Sequence, residues 1–288
     1  LADTLEKIAR HGASAMYRGS IAGLIVRDMQ SNGGLITHDD LANYRPIWRD
    51  PIRGEFQGHK IITMPPPSSG GVHLIQILSA FEVLPAMERN SAGFIHFFAE
   101  AARRSYADRS KYLGDPDFNN IPVNQLLDKN YLDNRFSTIQ KNKTTPSGDV
   151  LPGELKAFSE SPQTTHFSVA DKRQNMVSCT TTLNFSYGMR AVARGTGILY
   201  NNQMDDFSSK PGSPNAYGLI GSEFNSIAPE KRMLSSMTPV IVIKDGKAVL
   251  ATGSPGGSRI ITTVAQFLIG HLKEQQNIAV STSSVRVH

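Results

Sequence analysis

The sequence predicts a layered α+β domain. Apolar residues recur at helical spacing through the first half, and two pairs of alternating segments in the second half flank short polar turns. No internal repeat interrupts either pattern, and 288 residues suffice for one large domain or two modest ones. From the N-terminus, Leu1 to Gln30 places Leu5, Ile8 and Ala9, then Ile21, Leu24, Ile25 and Met29, at helical intervals. Ser31-Asn-Gly-Gly34 stops that run. Thr37 is the N-cap of a further helix, with acidic Asp40 three positions on. Ile52 to Ile62 reads as a strand. Pro65-Pro-Pro-Ser-Ser-Gly-Gly71 then punctuates the chain and leads into an apolar helix over Val72 to Val83. A long amphipathic helix spans Ala92 to Tyr112, with Phe94, Phe97, Phe98, Ala101 and Ala102 toward the core.

Residues 114–163 change character, with Asn, Asp, Pro, Lys and Ser dominant; Gln140 to Gly148 reads as loop, and 144–163 is expected to be exposed and mobile. Thr165 to Ala170 and Met176 to Thr182 form a hairpin about Asp171-Lys-Arg-Gln-Asn175. Val240 to Ile243 and Ala248 to Thr252 form a second about Lys244-Asp-Gly-Lys247. Arg259 to His271 reads as a helix.

Composition narrows the function classes. At 39% hydrophobic and 19% charged residues the chain is globular rather than disordered, and no run of 18 apolar residues offers a transmembrane helix. The single cysteine, Cys179, excludes an internal disulfide framework and reads as a core residue rather than a nucleophile. The net charge of +5 is scattered without a Lys/Arg block, so nucleic-acid binding is not expected. Eight histidines without His-x-His or His-Glu-x-x-His spacing offer no metal site, and no cofactor is expected.

Four polar clusters could carry chemistry. In Gln163-Thr-Thr-His-Phe-Ser-Val169 a polar segment runs into a strand; taken alone, its threonines are ordinary strand formers. Thr180-Thr-Thr-Leu-Asn184 ends the next strand, and alternation puts Thr180, Thr182 and Asn184 on one face. Tyr200-Asn-Asn-Gln-Met-Asp-Asp-Phe-Ser208 is either a loop held by Asx hydrogen bonds or a ring of acceptors around a ligand ammonium. Leu234-Ser-Ser-Met-Thr-Pro239 precedes Thr252-Gly-Ser-Pro-Gly-Gly-Ser-Arg259, whose glycines before a helix form an oxyanion or anion site, or else a tight turn with a cap.

In this order the clusters resemble the γ-glutamyltranspeptidases, as does the Pro65–Gly71 segment. The resemblance implies a four-layer αββα sandwich of the N-terminal-nucleophile hydrolase type and a precursor that cuts itself between Gln163 and Thr164. Residues 1–163 would be the C-terminal part of a large subunit and 164–288 a small one, together a single structural domain. Physical chemistry supports a threonine at such a cut. Its hydroxyl needs a base, and a freed α-amine with a pKa of about 7.7–8.0 is partly neutral at pH 7. Thr164 then matches the nucleophile, Thr182 the residue orienting it, and Gly256 and Gly257 the oxyanion hole. Asn184, Gln203 and Asp206 match the residues binding the donor's α-ammonium, and Ser235 and Ser236 those binding its α-carboxylate. Lys210 to Tyr217 matches a lid loop, with Tyr217 reaching toward Asn184. The implied partners are a γ-glutamyl donor such as glutathione and an amino-acid or peptide acceptor, in the periplasm or outside the cell.

Two departures stand beside these matches. The family's carboxylate site also uses an arginine from a region preceding the part matched here, and the family continues past His288; both ends therefore read as truncated. A related cephalosporin or glutaryl amidase, and a fragment without catalytic competence, are the alternative readings.

Overall fold

The computed structural model, which describes residues 1–151, 164–208, 210–213 and 221–288, divides the predicted N-terminal helical run into three helices. These are α1 (Ala2–His11), α2 (Ala13–Tyr17) and α3 (Ser20–Ser31), with Gly12 at φ +62° between the first two. α4 (His38–Asn43) starts at the expected cap, where the Thr37 hydroxyl accepts from Asp40 N at 3.2 Å and the Asp40 carboxylate accepts from Thr37 N at 2.7 Å. With a two-stranded ribbon, Val192–Ala193 against Ile198–Leu199, these helices form one of two compact units, Leu1–Arg49 with Leu183–Asn202. Ile21, Ile25, Ala15 and Ala193 make its buried core. The Tyr200 hydroxyl donates to Asp28 within it, at 3.0 Å.

The second unit comprises Asp50–Thr182 and Gln203–His288. Both units therefore draw residues from either side of position 163. The segment read as a single strand over Ile52 to Ile62 is instead a hairpin, β1 (Ile52–Phe56) and β2 (His59–Thr63). Gln57 and Gly58 both take positive φ and reverse the chain there. α5 (Gly70–Glu82) begins two residues before the expected position, and α6 (Ala92–Tyr112) matches its predicted bounds. Within the polar stretch, ahead of the loop read at Gln140 to Gly148, lie α7 (Val123–Leu126) and α8 (Lys129–Ser137), the latter capped by the Asp128 carboxylate accepting from Asn130 N and Tyr131 N.

β3 (Thr165–Ala170) and β4 (Met176–Thr181) form an antiparallel hairpin of their own. β5 (Val240–Lys244) and β6 (Lys247–Thr252) turn at Asp245-Gly246 and complete a four-stranded antiparallel sheet in the order β1-β2-β5-β6. α9 (Arg259–Leu268) stops short of His271, its last turn widening into a π-helical turn at Ile269–Lys273, and α10 (Ile278–Ser283) follows.

The core of this unit joins the sheet to α5, α6 and α9. Phe56, Ile61, Val240 and Val242 pack with Leu74, Ile77, Phe81, Phe94, Phe98, Ala101, Ile260 and Val264, all at most 1% exposed. The β3–β4 hairpin packs against β5 and β6. The result is an α+β sandwich in which a helical layer and two sheets lie among the described residues. No helix there is long and apolar enough to cross a membrane.

Candidate active site

Register brings the first two candidate residues together. Thr165 pairs with Thr181 across the β3–β4 ladder, so one step further Thr164 faces Thr182. Their hydroxyls lie 3.4 Å apart, Thr164 donating. The neighbouring pair is also polar: a ring nitrogen of His166 meets the Thr180 hydroxyl at 2.9 Å, and the other meets Ser168 Oγ at 3.1 Å. Burial pushes His166 below its ordinary value, so the ring is neutral at pH 7. The Ser178 hydroxyl ties this hairpin to the larger sheet, donating to the Thr252 carbonyl at 2.8 Å and accepting from Val240 N at 3.1 Å.

The glycine pair sits immediately before α9. Gly256 takes φ +131° and Gly257 φ +58°, conformations that a residue with a Cβ rarely adopts. Their carbonyls accept from Arg259 N and Ile260 N, at 3.1 and 3.2 Å, and so open the helix. Ser258 gives no side-chain cap. The peptide N–H groups of this turn are thus at the positive end of a helix dipole, where an oxyanion is stabilised. The Tyr106 hydroxyl, from α6, holds the turn by donating to the Ser258 carbonyl at 2.5 Å.

Gln203 and Asp206 begin and end a single 3₁₀ turn. Asn225 links that turn to the serine pair: its amide donates to the Asp206 carbonyl and its side-chain oxygen accepts from Leu234 N, each at 2.8 Å. Burial pushes the Asp206 carboxyl up to about 7; the Arg109 guanidinium pulls it down and Asp205 adds to the rise. Ser235 N donates to the Pro67 carbonyl at 2.8 Å, and Arg109 donates to Ser236 Oγ at 3.4 Å.

Other predicted residues fall differently. Alternation fails past Thr181, where β4 ends, so Asn184 does not extend the face of Thr180 and Thr182. Asn184 belongs to the first unit, buried at φ +75°, and donates to the Asn202 carbonyl at 3.2 Å. Cys179, read as core, is only half-buried, opposite exposed Phe167. Gln163, Tyr217, half of the expected lid and most of the expected mobile segment lie outside the described residues. Among the described residues no three His, Cys, Asp or Glu side chains gather as a metal-ligand set.

The family model for γ-glutamyltranspeptidase matches residues 1–288. The chain belongs to the γ-glutamyltranspeptidase family. It is 50% identical over 290 residues to the glutathione hydrolase proenzyme of Escherichia coli K12, an alignment covering 100% of this chain and 50% of that protein. To the glutathione hydrolase proenzyme of Pseudomonas aeruginosa it is 47% identical over 292 residues, covering 100% and 52%. Among solved structures, a cephalosporin acylase from Bacillus halodurans superposes with a TM-score of 0.79 at 26% identity, covering 96% of this chain and 47% of the other. The chain spans about half the length of the curated relatives it matches. The fold is accordingly the N-terminal-nucleophile hydrolase sandwich.

Arg109 and Asn225 do not stand out in the sequence, and Ser69 does so only as part of the Pro65–Gly71 segment. Arg109 lies seven residues after Ala102, in register with the buried stripe of α6, and is itself only 5% exposed. A charge in line with an apolar stripe was the signal available. Nor does His73 stand out. It is fully buried with neither ring nitrogen hydrogen-bonded among the described residues, and burial together with the Arg109 charge holds it well below its ordinary value.

Proposed function

We propose that this chain carries the catalytic core of a γ-glutamyltransferase and glutathione hydrolase that matures by cutting itself between Gln163 and Thr164. The observation that carries the reading is the Thr164–Thr182 hydroxyl pair, placed by strand register directly after the scissile bond. In the precursor, Thr164 Oγ attacks the Gln163 carbonyl carbon, and the amide C–N bond breaks as its nitrogen takes a proton. Water then hydrolyses the resulting ester. The products are a carboxylate at Gln163 and a free α-amine on Thr164, giving pieces 1–163 and 164–288, parts of the large and small subunits.

In the mature enzyme that amine takes the hydroxyl proton of its own residue as Oγ attacks the γ-amide of the donor. Thr182 positions the hydroxyl, and the N–H groups of Gly256 and Gly257 stabilise the oxyanion, each such donor being worth roughly 10²–10³ in rate. The amine returns the proton to the leaving group. Water, or the amino group of an acceptor amino acid or peptide, then resolves the γ-glutamyl ester. Asp206, with Gln203, receives the donor ammonium; Ser235 and Ser236 receive its carboxylate. The compartment proposed is the periplasm or the cell exterior.

The test is a gel and a rate. The whole protein should resolve into two pieces, Thr164→Ala should stay uncut, and only the cut protein should release nitroaniline from γ-glutamyl-4-nitroanilide. An uncut wild type would overturn the reading. The likeness to a cephalosporin acylase supports a second reading, an amidase for glutaryl-type acyl groups. Preference for glutaryl-4-nitroanilide over the γ-glutamyl compound would establish it instead.

A further inference from the structure

Pro65-Pro-Pro-Ser-Ser-Gly-Gly71 has no part in the chemistry above, yet it is laced to the serine pair. Ser69 donates to the Ser235 carbonyl through both its backbone N and its Oγ, each at 2.8 Å, while Ser68 Oγ donates to the Met237 carbonyl at 2.7 Å. The two segments approach so closely that a Cβ on Gly70 would lie 2.3 Å from Thr238 Oγ1 and 2.4 Å from the Met237 carbonyl.

Arg109 completes the lacing from α6. Its Nε donates to Ser69 Oγ at 3.0 Å and its Nη2 to Ser236 Oγ at 3.4 Å. One buried guanidinium therefore touches Ser236 directly and Ser235 through Ser69. The polarity of these bonds matters more than their number. Ser236 Oγ accepts from Arg109, and Ser235 Oγ accepts from Met237 N at 3.1 Å. A hydroxyl has one proton to give. With lone pairs engaged on the protein side, both hydroxyls keep that proton for an acceptor, as a carboxylate requires. The guanidinium adds a fixed positive charge behind them, in a setting where little water screens it.

We propose that Arg109, acting with Ser69, is a further positioning and specificity-determining residue for the donor's α-carboxylate, aiming the Ser235 and Ser236 hydroxyls outward and supplying charge behind them. This rests on the γ-glutamyl reading of the site. The charge of the same cation acts on Asp206 and on His73, and Asp205 acts on Asp206 in the opposite sense. Losing Arg109 therefore also raises the pH needed to ionise Asp206.

The experiment uses the whole protein as wild type, Arg109→Met and Arg109→Lys. Each is assayed with γ-glutamyl-4-nitroanilide and with 4-aminobutanoyl-4-nitroanilide, which keeps the ammonium and lacks the α-carboxylate. Measured at about pH 9, where Asp206 is ionised, Arg109→Met should raise KM for the γ-glutamyl donor roughly 10- to 100-fold, the worth of a hydrogen bond to a charged group. Its kcat/KM for the 4-aminobutanoyl donor should stay near wild type. Arg109→Lys should recover part of the loss, and the acid limb of kcat/KM should move to higher pH in Arg109→Met. An equal fall on both donors, or no change on either, would overturn the proposal. If Arg109→Met does not accumulate folded, Ser69→Ala must show the same donor-selective loss. A wild type inactive on the γ-glutamyl donor would instead sink the reading beneath it.

Discussion

Replacing Asp206 by Asn should make the protein more stable and a worse enzyme, with both effects growing as pH rises. The carboxyl titrates at about 7 in the folded chain against an ordinary 3.8, chiefly because it is buried. Between those values the folded state holds a proton that the unfolded state has lost, so stability falls as pH rises through that window. At about 1.4 kcal/mol for each tenfold change in proton affinity, the charged form costs the fold up to about 4 kcal/mol above pH 7. Roughly 3 kcal/mol of this is incurred between about pH 5 and pH 8. Asparagine fills the same space without the charge. Thermal unfolding of wild type and Asp206→Asn at those two pH values should show the variant's advantage widening by several degrees at the higher one. Its KM for the γ-glutamyl donor should meanwhile rise roughly 10- to 100-fold, since a neutral amide cannot pair with the ammonium. An advantage that stays level or shrinks with pH would refute the argument.

Thr182→Ala should slow both self-cleavage and turnover, by roughly 10-fold or more, while Thr182→Ser restores most of each; time-resolved gels and nitroaniline release measure the two rates on one preparation. Gly253→Ala should also slow both. Its Cβ would lie 2.4 Å from Nδ1 and Cε1 of His166, and turning the ring away breaks the bonds to Thr180 and Ser168. Native hydrogen exchange of the β3–β4 amides should rise in that variant, and unchanged protection would argue against the mechanism.

Much of this architecture was legible because its determinants are local. The Thr37–Asp40 cap, the Asp245-Gly246 turn and the apolar stripe of α6 are each decided within a few residues. The β1–β2 turn was harder to read, because Gln57 at positive φ is not a residue that announces a reversal. α8 was hidden by its polar composition; its start is set by one carboxylate, Asp128. For the site, residue types and order pointed to Thr164, Asp206 and the Ser235–Ser236 pair. What they could not show is that an arginine 127 positions before Ser236 stands behind its hydroxyl. Such a contact depends on how α6 packs over the sheet, and no local rule encodes it.

The register that sets Thr164 against Thr182, the proposed nucleophile and its positioning residue, has an unusual source. In most half-buried hairpins an apolar face selects the register, since a slip by one residue would expose it. On β3 and β4 the apolar side chains Phe167, Val169 and Val177 are themselves exposed, so that selection is weak. Polar pins replace it. The Asp171 carboxylate closes the turn by accepting from Arg173 N at 2.8 Å and Asn175 N at 2.9 Å. Ser178 bolts the middle of β4 to β5 and β6, and the His166 ring seats against Gly253. A slip of one residue, about 3.3 Å, would take Thr164 away from Thr182; each pin would have to break for it to occur. Gly253 lies in the same loop that carries Gly256 and Gly257. The strand that follows the proposed nucleophile and the turn that carries the proposed oxyanion donors therefore rest on one short support, and a disturbance there should reach both halves of the proposed chemistry at once.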